Sequence, residues 1–222
     1  EARYPGTLED YAFFLYGLLE LYEAGFDPRD LEQAKGLAQH MIERFWDAQG
    51  GGFFLRDQAQ EPLIVSSKEA YDGATPSGNS MAALVLLRLG RLIADERFED
   101  IGRRTLERFS QPVTQTPFGY PQLLIAWDFA LGPTQEIVIA GEPASPETIQ
   151  MLRTIHQRFL PRAVVLLHPI GPARQQIEAL APYTATHEAI GGRTTAYVCE
   201  RYTCTLPTTD PAQLATLLDR QR

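Results

Sequence analysis

The chain has 222 residues, 44% hydrophobic and 22% charged, and acidic side chains outnumber basic ones 28 to 20 for a net charge of −8. Those proportions describe a folded chain with a core of its own and exclude a disordered one. The negative balance argues against a coat for nucleic acid or an anionic membrane, and the longest apolar run, AVVLLHPI at 163–170, is too short to span a bilayer.

In LEDYAFFLYGLLELYEAG (8–25), Leu8, Tyr11, Ala12, Leu15, Leu18, Leu19 and Tyr22 recur every three or four residues, the pattern of an amphipathic helix. Thr7 stands at its N-cap, Glu9 and Asp10 fall in its first turn, and Gly25 stops it. Asp27 and Pro28 open a second helix to about residue 47, which glycines 50–52 end. FFLRD and EPLIVSS read as a small β-hairpin inserted near 53–66. A third helix starts at Ser77 and is apolar nearly all round, so burial on most sides is expected. Helices over 96–110 and 117–131 follow after short connections, which implies antiparallel neighbours and stacked α-hairpins.

Past Gly132–Pro133 the period changes. EIVIAG (136–141), an amphipathic helix over 146–160 and AVVLLHP (163–169) make a β-α-β unit with a parallel pair. TTAYVCE (194–200) is a further strand, and 210–222 is a capped helix. The expected architecture is mainly α with an α/β tail: a helical-hairpin region over 1–132, then a small α/β region over 133–222.

Three stretches carry a family resemblance: LEDYAFFLYGLLELYEAGFD with FWDAQGGGFF, then YDGATPSGNSMAALVLLRLGRL, then TTAYVCERYTCTLPTTDPAQL. In this order they resemble the C-terminal part of the spermatogenesis-associated protein 20 family, thioredoxin-domain proteins with an N-acylglucosamine 2-epimerase-like region. The resemblance implies a six-hairpin glycosidase-like α/α-toroid and a link to carbohydrate metabolism. About 130 helical residues make only two or three hairpins, too few to close a ring. The expectation is therefore a partial toroid whose partners are the missing N-terminal hairpins, a thioredoxin-like domain, or a second copy of the chain.

Within that frame Asp10, at a helix start beside Tyr11, and Asp72 are candidate catalytic carboxylates. Lys68, Ser77, Asn79 and Ser80, around the PSGNS turn, are candidate ligand-binding groups, together with Tyr11 and with the aromatics Trp46 and Phe53 that flank the glycine turn. The bland alternatives are helix capping for Asp10, a tight turn feeding a buried helix for 72–80, and core packing for the aromatics. The leading functional reading is a non-catalytic or weakly catalytic sugar-binding segment. The alternatives are a glycan hydrolase or epimerase using Asp10 and Asp72, or an interaction module that completes a helical ring.

Cys199 and Cys204 would lie roughly 16 Å apart on one uninterrupted strand. A bridge between them needs a turn through Glu200–Thr203, which Arg201-Tyr202-Thr203 does not strongly signal, so two reduced, partly buried thiols are expected, with a redox role as the minority reading. Two sulfurs are half a zinc site, and none of the four histidines (His40, His156, His168, His187) forms a helical i,i+4 pair, so no metal is expected. No glycine-rich phosphate loop follows a strand, so no nucleotide cofactor is expected either. With no leader-like segment and no disulfide framework read in the sequence, the expected location is cytoplasmic.

Overall fold

The computed structural model describes residues 5–57, 59 and 67–219. The chain forms two compact units: one runs to Gly90 and resumes over Asp95–Leu131, and the other joins Arg91–Ala94 to the chain from Gly132 onward.

The first unit is helical. The α1 helix (Leu8–Gly25) is fixed at its start by Asp10, whose Oδ2 accepts both the Thr7 backbone N–H and the Thr7 hydroxyl. It ends where Phe26 turns into the left-handed region. Two residues later, capped by Asp27, α2 (Pro28–Phe45) returns antiparallel and packs along α1. The α3 helix (Gly78–Ile93) buries eleven of the thirteen residues from Met81 to Ile93, all but Arg88 and Arg91, as its nearly all-round apolar sequence requires. The α4 helix (Glu96–Arg108) crosses it closely at Gly102, where an added Cβ would stand 2.8 Å from Leu87 Cγ. Prolines then shape the stretch after α4, because each lacks an N–H and suits a helix start, and the helix expected over 117–131 begins only at Pro121. Pro112 lies in α5 (Ser110–Gln115), Pro117 opens a 3₁₀ turn, and Pro121 opens α6 (Pro121–Leu131).

The hairpins stack in register. Leu8 at the start of α1 meets Gly78 at the start of α3, and Glu20 and Glu23 near the end of α1 pair with Arg88 near the end of α3. Asp72, just ahead of α3, accepts the Gln122 and Leu123 N–H groups at the start of α6. At the other end of α6 the Ala130 carbonyl accepts from Arg103, next to the Gly102 that meets Leu87 in the second half of α3, so the leading helices α1, α3 and α6 run the same way, with their N-termini gathered at one end.

The expected hairpin insert is corrected in its first arm. FFLRD is not a strand: Phe53 makes one isolated bridge to Trp46, and the Phe54 N–H donates to Phe45 O, so the chain folds directly back on the end of α2. The driving contact is burial of Phe53, which is fully enclosed. The second arm, at 61–66, lies outside the described residues.

The second unit holds a four-stranded sheet in the order β2-β1-β3-β4. The central strand β1 (Gln135–Gly141) is buried at every position and pairs parallel with β2 (Ala163–Pro169), through α7 (Pro146–His156). On its other side β3 (Thr195–Glu200) runs antiparallel and turns into β4 (Thr203–Cys204). The 169–194 connection, rich in Pro and Gly, contains α8 (Arg174–Leu180) and a 3₁₀ turn at Pro182–Thr186, and α9 (Pro211–Asp219) closes the described chain. No helix among the described residues is long and apolar enough to cross a membrane.

The expectation of two free thiols is overturned: Cys199 and Cys204 are joined as a disulfide. Arg201 and Tyr202 both take positive φ (52° and 59°), the geometry of a two-residue hairpin turn, although neither is Gly or Asn. Val198 O accepts the Thr205 N–H, so the Cys199–Cys204 pair beside it is the non-hydrogen-bonded kind, in which side chains approach most closely.

Candidate functional site

At the end of the first unit where the leading helices start, a hollow of about 220 Å³ is lined by Leu8, Glu9, Leu55, Glu69, Tyr71 and the 73–78 turn. Its construction follows from a strict alternation. From 67 to 72 the chain is extended, with Ser67, Glu69 and Tyr71 exposed while Ala70 and Asp72 turn inward and Lys68 is half-buried. Glu69 and Tyr71 thus project from one side of the segment, and Tyr71 keeps 56% of its surface exposed while its ring edge packs on Gly119 and Tyr120.

The inward residues hold the wall. Asp72 is buried and its two carboxylate oxygens accept three backbone N–H groups, from Ser77, Gln122 and Leu123. Ser77 caps α3 by accepting the Ser80 N–H, and its hydroxyl donates to Ser80 Oγ, which in turn donates to Ala70 O. Asn79 is a buried clamp: its oxygen accepts the Phe53 N–H, and its amide donates to Phe53 O and Glu69 O. The Asn79 side chain thus ties both Phe53 and Glu69 to the start of α3.

Lys68 also points away from the hollow, donating to Asp47 Oδ2 and Gly51 O, with Nζ 4.7 Å from the centre of the Phe54 ring. Lys68 first, and then the Gly50 N–H, hold the Asp47 carboxyl down at about 2. The glycine turn is not a rim: Gly51 and Gly52 are buried at positive φ, and an added Cβ at Gly51 would stand 3.0 Å from Arg104 O.

Of the residues singled out from sequence, then, the structure brings Ser77 to the hollow, while Asp10 caps α1 and Asp72 ties α3 to α6. Tyr11 packs edge-on to Phe45 at 5.2 Å, and Trp46 lies between Phe53 and the Arg104 guanidinium. Phe53, Asn79 and Ser80 are enclosed, at 1% exposure or less, behind the wall of the hollow. The carboxylates that face the hollow are Glu9, one residue from the candidate Asp10, and Glu69, for which the signal was the period-2 alternation of SKEAYD.

A second constellation sits in the other unit. His187 Nε2 is 3.3 Å from Cys204 Sγ and 4.0 Å from Cys199 Sγ, and the three ligand-type atoms lie within 4.8 Å of one another. As the sulfurs are joined, neither is a thiolate ligand in this form. Sequence spacing gave no sign of it, because a 3₁₀ turn within a Pro/Gly-rich connection carries His187 to the sheet.

No family model matches the chain. It is 35% identical over 214 residues to human spermatogenesis-associated protein 20 and 34% identical to the rat protein of that name, in each case over 96% of this chain. An uncharacterised protein of Caenorhabditis elegans is 26% identical over 215 residues. The chain spans about a quarter of the length of these relatives, 27% of the human protein. With the quoted motifs and the helical-plus-α/β build in agreement, the chain belongs to the spermatogenesis-associated protein 20 family and corresponds to a segment of its larger members.

Proposed function

We propose that this segment is a non-catalytic carbohydrate-binding part of an α/α-toroid and holds one neutral sugar ring in the hollow between Glu9, Glu69 and Tyr71. The observation that carries the reading is the convergence of two carboxylates and a half-exposed aromatic face in one small concavity. Carboxylates accept paired sugar hydroxyls, and the tyrosine ring offers an apolar face for the C–H side of a pyranose. The hollow is smaller than the usual range of roughly 300–1,000 Å³ for drug-sized ligands, so a monosaccharide unit is the fitting size. Two carboxylates also disfavour an anionic sugar.

Ligand-observed NMR with a panel of neutral hexoses, N-acetylhexosamines and sugar phosphates tests this. The expected result is weak binding of at least one neutral sugar, cut about tenfold or more by Glu69→Gln and by Tyr71→Ala, with sugar phosphates weaker than their parents. Silence across the neutral panel, or binding that both variants leave unchanged, overturns the reading.

A second reading rests on a different observation. Phe13, Phe14 and Leu21 on α1, with Ile125 and Leu131 on α6, are exposed apolar side chains on leading helices. Such faces suit packing by further hairpins, as a module within a larger ring requires. Extending the expressed chain into the longer family protein should raise the melting temperature of the helical unit, and an unchanged value counts against this reading.

A further inference from the structure

We propose that Cys199, Cys204 and His187 form a thiol–disulfide exchange site, with Cys204 as the sulfur that meets an external thiol or disulfide of the glutathione class. Three observations carry it, all independent of the sugar hollow. The first is an asymmetry of access: Cys199 is 2% exposed in the middle of the sheet, whereas Cys204 is only half-buried on the two-residue edge strand β4. The second is the imidazole. Tyr183 O, 3.0 Å from His187 Nδ1, can only accept, so Nδ1 carries the proton and Nε2 presents its lone pair to Cys204 Sγ at 3.3 Å. The third is support for that ring: Tyr197 packs edge-on to it at 4.6 Å, and the His168 ring binds the His187 carbonyl at 2.7 Å. A bridge serving only to staple a hairpin needs no base at its more exposed sulfur.

The groups facing His187 are Tyr183 from the 3₁₀ turn, His168 from β2, Tyr197 and Cys199 from β3, and Cys204 from β4; Glu178 of α8 stands behind His168. Burial above all, with His168 adding to it, lowers the basicity of His187, while the carbonyls of Tyr183 and Thr184 work the other way. The ring is accordingly neutral and available as a base near neutral pH.

The exchange balances as follows. In the reduced form the Cys204 thiol gives its proton to His187 Nε2, and its thiolate attacks one sulfur of an external disulfide RSSR. The RS–SR bond breaks, the leaving RS⁻ takes the proton from Nε2, and Cys204 is left as a mixed disulfide. Cys199, as thiolate, then attacks Cys204 Sγ and expels the second RS⁻, which takes up the proton Cys199 lost. The sum is dithiol plus RSSR going to disulfide plus two RSH, and the reverse is attack by RS⁻ on Cys204 with Cys199 leaving.

The test uses the whole chain in buffers of reduced and oxidised glutathione, quenched with iodoacetamide and mapped by peptide mass. The expected result is reversible interconversion of the two states with unchanged far-UV circular dichroism and a mixed disulfide trapped on Cys204 in Cys199→Ser. Alkylation of Cys204 in the reduced wild type should show a pH midpoint at least one unit below that of an ordinary thiol, near 8.5. His187→Asn, whose amide keeps a donor where Nδ1 stands, should return the midpoint to that value. A midpoint already ordinary in the wild type, preferential reaction at Cys199, or loss of fold on reduction of the wild type overturns the proposal; so does a midpoint that His187→Asn leaves low.

Discussion

At the scale of single residues, the side chains most easily mistaken for catalysts are those that hold the backbone. Asn79 satisfies one N–H and two carbonyls of chain segments 26 and 10 residues away, all but out of reach of solvent. Asn79→Ala would leave those groups buried and unpaired, for an expected loss of about 2–4 kcal/mol in urea unfolding. Asn79→Asp should cost at least as much, since it would turn a carboxylate toward two carbonyls. Asp47 sets an acid limit instead. Its folded-state pKa lies near 2 against an ordinary 3.8, so its contribution is complete above about pH 4 and fades as pH falls from there toward 2. An acid titration followed by circular dichroism should show less stability lost between pH 4 and 2 in Asp47→Asn than in the wild type. The residue pattern announced a tight PSGNS turn, and that turn exists. It did not say which polar groups faced outward, because a caps-and-clamps role and a ligand role draw on the same Asp, Ser and Asn side chains.

Among elements, the hairpin stack was legible because helical periodicity, caps and short links all pointed the same way. What the period could not reveal was closeness. Gly102 lets α4 approach α3 until an added Cβ would meet Leu87 Cγ at 2.8 Å and Ala83 O at 3.2 Å, whereas Gly36 in α2 has nothing within 4 Å of that position. The two glycines look alike in sequence but should behave oppositely. Gly102→Ala is expected to destabilise by about 1–3 kcal/mol through overpacking, and Gly36→Ala to stabilise by up to about 1 kcal/mol through helix propensity. Chemical denaturation of both variants decides. The β3–β4 turn escaped the sequence reading for a comparable reason: Arg201 and Tyr202 adopt left-handed backbone that residue type gave no ground to expect. Once that turn closes, cysteines five apart become cross-strand partners.

For the chain as a whole, the fold divides into two compact units, with the last residues of α3 grouped with the second. The β-α-β unit read from the apolar runs is present with its parallel pair, while the antiparallel third strand was not fixed by any pattern in 169–194. A short-loop disulfide in the second unit should add about 2 kcal/mol by restricting the unfolded chain. Cys199→Ser with Cys204→Ser is therefore expected to lower the stability of that unit by about this much and still leave it folded, measured by thermal melting. A larger loss would mean that the bridge also supports packing around His187.

The shared direction of α1, α3 and α6 has an electrostatic consequence. Parallel helices add their macrodipoles, so their partly positive ends gather where Glu9, Asp10, Glu69 and Asp72 contribute four carboxylates to the same neighbourhood. The negative side chains offset a field that the backbone would otherwise leave unbalanced. Stripping them of charge, by acid or by amide replacement, should thus turn this pole of the molecule from one that repels anions into one that attracts them.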